Sequence, residues 1–389
     1  MIDVVIAGGG LIGAGIAWRC VQSGLSVTVI DPDPGSGASH AAAGMIAPVS
    51  EATFGEERLL RLCLESTARY PDFVAELEAV TGGPAGLRTG GTLKVAFDAD
   101  DMRAIEHLHA FQVELGLPAT RITPGEARRM EPGLTTRLRG AIHVPSELSI
   151  DGRLLHARLI EAATAGGVTF VHKPVDSLVV EKDQAVGVAL ADGSVVRGRT
   201  VVLAMGAASG TVPGAPALPV RPVGGQIIRL RALRPEDMPA GSIRGLVRGR
   251  SVYVVPLGTD QVIIGATSEE KGWESRVTAG GAFDLLRDAL DVLPGLAEAE
   301  LVETIVRFRP GTPDNAPILG PTELPGLVAA TGHYRHGVML TPVTADAIAD
   351  LLVTGALPEV AQGFGAQRFA ETSARPRLRP VHVHSGGSR

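Results

Sequence analysis

Cysteine is nearly missing from this sequence: Cys20 and Cys63 are the two among 389 residues. That excludes a disulfide framework and a four-thiolate metal site. Aromatic residues are also scarce, with nine Phe, two Trp and three Tyr. Lysine occurs four times, at Lys94, Lys173, Lys182 and Lys271, a bias read as coding preference. The formal net charge is -6, so the basic surface of a nucleic-acid binder is not expected. No apolar run approaches the ~20 residues that span a bilayer. Met1-Ile2-Asp3 lacks the basic start and uninterrupted apolar run of a secretion signal. A soluble, cytoplasmic chain without membrane insertion is therefore expected. What is abundant is glycine, 49 residues, without the Gly-X-Y period of collagen. Apolar residues at 45% and charged residues at 20% describe a globular chain long enough for two or three domains.

Residues 2–31 read as a strand, a glycine turn, a helix over 14–23 and a second strand at 27–30. The stretch 35–50 is small and Gly/Ala-rich, a loop or helix start. Apolar spacing predicts helices over 56–81, 101–115, 124–131, 153–165, 278–293 and 342–353. Extended segments are expected at 90–97, 140–150, 168–172, 175–181, 185–190, 200–204, 220–230, 243–256, 261–267, 301–308 and 328–330. Nucleotide-fold units and β-rich material alternate, so two domains are expected, each assembled from several segments. One takes 1–85, 151–215 and 305–371; the other takes 86–150 and 216–304. The Arg/Pro/His/Ser/Gly-rich tail 372–389 has no period and is expected to be disordered.

The strongest local motif is Gly8, Gly10 and Gly13 between a strand and a helix. The first glycine allows a tight turn and the second lets backbone approach a pyrophosphate. The third lets helix and strand pack closely. The helix start at Leu11 and Ile12 then offers N–H groups to the phosphates. Asp31 ends the second strand, 18 residues after Gly13, where it can accept hydrogen bonds from a ribose hydroxyl. A carboxylate there disfavours a 2′-phosphate and hence NADP. No second glycine fingerprint and no Cys-x-x-Cys follow, which fits a flavin reduced by the substrate itself; the fingerprint alone leaves an NAD dehydrogenase open.

With Ser39-His40-Ala41-Ala42-Ala43-Gly44-Met45, Gly90-Gly91-Thr92-Leu93, Tyr253-Val254-Val255-Pro256 and Ile264-Gly265-Ala266-Thr267, the order of motifs becomes specific. Arg309-Pro310-Gly311-Thr312-Pro313-Asp314 and Thr331-Gly332-His333-Tyr334-Arg335-His336-Gly337 complete the series. Over about residues 3–360 the chain resembles the D-amino-acid oxidase-like FAD-dependent oxidoreductases, and within them the glycine-oxidase branch that serves thiamine biosynthesis. The resemblance implies an α/β fold, α+β overall: an FAD-binding Rossmann-like domain and a mixed, mostly antiparallel-sheet substrate domain, both discontinuous. It implies a homo-oligomer and a small amino-acid substrate oxidised by hydride transfer to flavin N5. Dioxygen then returns as hydrogen peroxide and the product is an imine or 2-oxo acid, in this branch for thiazole synthase. Other members of the class, D-amino-acid or sarcosine oxidases and quinone-linked D-amino-acid dehydrogenases, remain open, as does a silent FAD-binding scaffold.

By the same resemblance Pro32, Ala38, Ser39, Ala42, Ala43, Gly44 and Met45 border the cofactor, Val175 meets the adenine, and Gly206 adds backbone. The second flavin segment holds His333, Tyr334, Arg335, His336, Gly337, Val338 and Met339. Gly337 reads as a position of positive φ or close approach, and Thr341-Pro342 as N-cap and first turn of a helix aimed at the flavin. Arg309 precedes Pro-Gly and so is stiffly held; its planar fork suits a substrate carboxylate. Tyr253 and Arg335 are expected beside it. Ser251 and Ser268 depart from the branch's pattern and are expected to shift pocket polarity. The sarcosine-oxidase branch holds FAD through a C-terminal cysteine; Cys20 and Cys63 are both early, so the FAD is expected to be non-covalent. No histidine spacing suggests a metal.

Overall fold

The computed structural model describes residues 2–234 and 238–369, so the tail 372–389 lies outside the described residues. Strand Ile2–Ala7 is apolar throughout its buried part, Val4 to Ala7, as a central parallel strand must be. It pairs in parallel with Val27–Ile30 on one side and Val195–Leu203 on the other. Thr169–Val171 extends the sheet beyond Val27–Ile30, and Leu327–Thr331 extends it beyond Val195–Leu203, both parallel. Ile318–Pro321 closes that edge antiparallel, and a ribbon of Val175–Glu181 and Gln184–Leu190 pairs with the first part of Val195–Leu203. The chain therefore leaves Ile2–Ala7 in one direction and returns on its other side. That reversal opens a crevice at the C-terminal ends of Ile2–Ala7 and Val195–Leu203.

Helices Leu11–Gln22, Glu57–Thr81, Gly152–Ala165 and Thr341–Thr354 share a core with this sheet. Trp18, Tyr70, Phe73 and Leu77 are its large, fully buried side chains. Each contributes about 1.5–3 kcal/mol on the area scale. Glu57–Thr81 ends where Gly82 takes a left-handed φ of 70°, the usual helix stop. Asp151 starts Gly152–Ala165 by accepting the N–H groups of Arg153 and Leu154.

A second eight-stranded sheet runs in the order Glu300–Gly311, Arg221–Arg231, Gln261–Gly265, Arg250–Leu257, Ser242–Val247, Thr92–Ala96, Gly140–Val144, Thr120–Ile122. All its pairs are antiparallel except Ser242–Val247 with Thr92–Ala96. Helix Ala279–Val292 covers one face. On the other face Ile227, Val255, Leu257 and Ile263 pack against Ala41 and Ala43.

Several boundaries differ from the sequence reading. The first helix begins at Leu11, not 14, because Gly13 sits inside its first turn. The extended stretch 243–256 is a hairpin that turns at Arg248-Gly249, both at positive φ. Arginine carries no signal for that conformation, so the turn was hidden. The expected boundary at 304/305 falls inside Glu300–Gly311, which pairs with Arg221–Arg231 along its whole length. Ile318–Pro321 was not anticipated at all.

Candidate functional site

A cavity of about 420 Å³ opens at the crevice and runs to the inner face of the second sheet. Its first wall is the glycine turn. Gly8 has φ 105°, and a Cβ on it would lie 2.4 Å from the Ala204 carbonyl oxygen. A Cβ on Gly13 would lie 1.9 Å from the Gly8 carbonyl oxygen, so close helix–strand packing forbids any side chain there. Helix Leu11–Gln22 has no acidic residue in its first turn, and its N-cap Gly10 has no side chain of its own to cap it. That leaves positive potential facing the cavity at Gly10, Leu11 and Ile12. Asp31 Oδ2 accepts the Gly9 N–H at 2.7 Å, and Oδ1 accepts the Asp33 N–H at 2.9 Å. Ser39 Oγ accepts the Leu11 N–H at 3.1 Å. His156 Nε2 lies 2.7 Å from the Gly9 carbonyl, and burial lowers its pKa.

Pro32, Ala38, Ala42, Ala43, Gly44 and Met45 continue this wall, with Val175 and Gly206 opposite. Gly44 has φ 78°, and a Cβ there would meet the Ile150 carbonyl oxygen at 1.7 Å. Only glycine fits this approach.

The far end of the cavity carries charge. Arg309 Nη1 donates to the Thr267 carbonyl at 3.1 Å, and its guanidinium lies flat over Gly225. A Cβ on Gly225 would sit 2.4 Å from Nη1, so the missing side chain makes the room. Among the described residues no carboxylate pairs with Arg309. Tyr253 lies beside Arg309; burial raises the phenol's pKa while the Arg309 charge pulls it down. Arg335 also lines the cavity, with its guanidinium 5.3 Å from the Tyr334 ring centre. Tyr334 itself holds a left-handed φ of 46°, and its N–H donates to the Pro310 carbonyl. Such a backbone persists only where its surroundings fix it.

His333, Gly337 and Val338 line the cavity, but His336 and Met339 do not. They line a separate void of about 10 Å³, room for about one water. Gly13 is likewise set back from the cavity. Gly337 has no left-handed φ, and a Cβ there would meet nothing closer than 3.9 Å; the positive φ belongs to Gly332 and Tyr334. Thr341 is not the N-cap, which is Leu340; its hydroxyl donates back to the Gly337 carbonyl, and no residue of that helix lines the cavity. Ser251 and Ser268 are exposed and outside the lining, so they do not set its polarity. Trp273 and Phe308, in edge contact at 5.0 Å, shape that wall instead.

The sequence reading missed a buried ionic network. Glu51 lines the cavity, with Oε1 2.5 Å from Arg244 Nη1 and Oε2 3.3 Å from His336 Nδ1. Burial works to raise its pKa, but Arg244, His336 and Arg335 together hold it well below the usual carboxylate range. Glu147 accepts the Ser50 N–H and hydroxyl at 2.6 and 2.8 Å, and burial raises its pKa. Lys94 donates to the Ser50 carbonyl, and burial pushes it down to about 7. The available signal was cross-strand register: Lys94, Arg244 and Tyr253 are successive partners across three strands.

The model of the FAD dependent oxidoreductase family matches residues 3–351. The sequence is 35% identical over 353 residues to the bifunctional protein ThiO/ThiG of Nostoc sp., covering 90% of this chain and 52% of that protein. It is 33% identical over 356 residues to the glycine oxidase of Geobacillus kaustophilus, covering 90% of this chain and 92% of the relative. The crystal structure of glycine oxidase from Geobacillus kaustophilus superposes with a TM-score of 0.86 at 32% identity, covering 94% of this chain and 98% of that one. The chain spans about half the length of the ThiO/ThiG relatives it matches.

Proposed function

The chain belongs to the FAD-dependent oxidoreductase family, and from that premise we propose that it oxidatively deaminates glycine or another small amino acid. The observation that carries this reading is Arg309 beside Tyr253 at the wall of a cavity that continues to the glycine turn. An arginine with no carboxylate of its own, next to a phenol, suits the carboxylate of a substrate.

The residues present fit FAD. A helix start with a glycine N-cap and no acid in its first turn suits a pyrophosphate, Asp31 suits a ribose, and Ala42, Ala43 and Gly44 offer a wall poor in side chains to a flat ring. Cys20 and Cys63 are buried and neither lines the cavity, which supports an FAD held non-covalently. Bound there, FAD would supply the acceptor for a hydride from the substrate Cα, with dioxygen as the oxidant that would restore it and yield hydrogen peroxide.

Arg309 anchors the carboxylate and Tyr253 lends it a second donor. Holding that end fixed orients Cα, and orientation supplies much of the rate. Gly225 leaves the space that keeps the guanidinium flat. Trp273 and Phe308 form one side of the wall, with Trp273 at its solvent-exposed rim. The imine that results is hydrolysed or handed to a thiazole-forming partner; the ThiO/ThiG relatives, named as bifunctional proteins, support the second route. We assign the working form to a homo-oligomer.

The test is an anaerobic panel of glycine, sarcosine, D-alanine and D-proline with the FAD-loaded protein. Bleaching of the yellow absorbance by glycine, and peroxide on readmitting air, are expected. Reduction without peroxide would make it a dehydrogenase, and no reduction by any of the four would remove the amino-acid reading.

A further inference from the structure

Arg309 and Tyr253 account for only one end of an amino acid. The other end is an ammonium, and a buried cation needs a counter-charge. Two carboxylates line the cavity, Asp31 and Glu51. Asp31 stands at the glycine turn, where it accepts from Gly9 and Asp33 and suits the ribose. Glu51 lines the same cavity as Tyr253 and Arg309 and pairs with Arg244, the cross-strand partner of Tyr253.

Resting on the amino-acid reading above, we propose that Glu51 receives the substrate's ammonium group and so selects zwitterions over plain carboxylates. The geometry leaves it capacity. Each carboxylate oxygen can accept about two hydrogen bonds. Oε1 accepts from Arg244, and Oε2 lies 3.3 Å from His336 Nδ1 without a hydrogen bond to it. The Arg244 pair also keeps the carboxylate ionised despite burial, which an ammonium receptor requires. Arg244 is in turn fixed by its sheet neighbours Lys94 and Tyr253, so the receptor sits on strands and not on a loop.

The charged and titratable groups that face Glu51 are Arg244, His336, Arg335, Lys94, Tyr253 and Cys63. Glu147 acts on the same Arg244 and Lys94 but does not line the cavity, and burial raises its pKa, so removing Glu51 takes away the carboxylate at the cavity wall on this side. Because an adjacent carboxylate stabilises the protonated amine, the amine bound beside Glu51 titrates higher than it would without it. Hydride transfer needs the neutral amine, so this pKa sets the acidic limb of kcat against pH.

The experiment uses the FAD-loaded protein and compares glycine with acetate, which has the carboxylate but no ammonium. For Glu51→Gln, anaerobic glycine binding should weaken at least tenfold while acetate binding changes less than twofold. The acidic limb of kcat should move to lower pH by about one unit. Equal losses for glycine and acetate, or an unmoved limb, would reduce Glu51 to a structural partner of Arg244 and overturn the proposal. Glu51→Asp keeps the charge and should restore most of the discrimination; if it behaves like the glutamine variant, charge is not the cause. Should neither variant retain FAD, the wild-type protein decides: methylammonium must compete with glycine, and absence of competition overturns the proposal. If the wild-type protein is not reduced by any amino acid, the amino-acid reading fails; normal reduction with unchanged discrimination in Glu51→Gln sinks only the assignment of Glu51.

Discussion

Arg309 has five N–H donors, and the Thr267 and Gly224 carbonyls take up one nitrogen, Nη1. The rest of the fork faces Tyr253 and the cavity. Removing one partner of a buried charge pair costs about 2–5 kcal/mol, much of it from the charge left alone. Arg309→Leu should therefore raise KM for amino acids by at least about 30-fold. The glycine turn is untouched, so FAD content should stay at the wild-type level. Steady-state kinetics on the purified holoprotein checks both, and an unchanged KM would take Arg309 out of the site. Tyr253→Phe removes a single neutral donor and should cost about 1 kcal/mol, roughly fivefold in KM. The motif around Arg309 made it legible in the sequence. Glu51 was not legible, because its meaning comes from Arg244 and His336, which lie 193 and 285 positions away in the chain and meet it only through the fold.

The glycine turn separates two roles that one motif merges. At Gly13 the obstacle is the Gly8 carbonyl oxygen, 1.9 Å from any Cβ, so Gly13→Ala must push helix Leu11–Gln22 away from strand Ile2–Ala7. At Gly10 the nearest atom is Ser39 Oγ at 3.1 Å, a side-chain hydroxyl that can give a little. The expected outcomes differ accordingly. Gly13→Ala should lower the stability of the FAD-free protein by several kcal/mol or prevent folding. Gly10→Ala should unfold within about 1 kcal/mol of wild type and yet bind FAD at least tenfold more weakly, since Gly10 lines the cavity where the proposed pyrophosphate would lie. Urea melts of the FAD-free protein and flavin titration separate the two; equal stability losses would refute the division. The first strand, turn and helix were readable because their signals are local. The hairpin at Arg248-Gly249 and strand Ile318–Pro321 were not, since one turns on an arginine in a left-handed conformation and the other is a short edge strand paired with Leu327–Thr331.

The two sheets meet around one cavity, and the polar groups sealed there make stability depend on pH. The layering itself could be anticipated from the alternation of parallel-strand and antiparallel-strand segments, but which polar side chains become buried depends on how the layers close. His333 is 2% exposed, its Nε2 lies 3.0 Å from Thr344 Oγ1, and burial pushes its pKa down to about 3. His156 and His143 are shifted downward by burial as well. A histidine whose folded pKa is depressed binds its proton first in the unfolded state. Between an unfolded value of about 6.5 and the folded value, the unfolded chain carries more protons, so stability rises with pH. It is complete above about 6.5 and is lost as pH falls toward 3. The carboxylates with depressed pKa values, such as Glu303 and Asp288, act in the same direction but only below their ordinary range near 4. Between pH 6.5 and 4.5 the histidines act against the buried carboxyls Glu131 and Glu147, whose pKa values burial raises, so a histidine variant is needed to separate the two. Across it His333 alone should contribute about 2 kcal/mol of destabilisation. Urea unfolding at the two pH values should show His333→Gln, which cannot take up a proton, losing less than the wild-type protein by about that amount. Equal pH dependence in the two proteins would mean that His333 is protonated in the folded state, and its buried contact with Thr344 would then have to be that of an imidazolium donor.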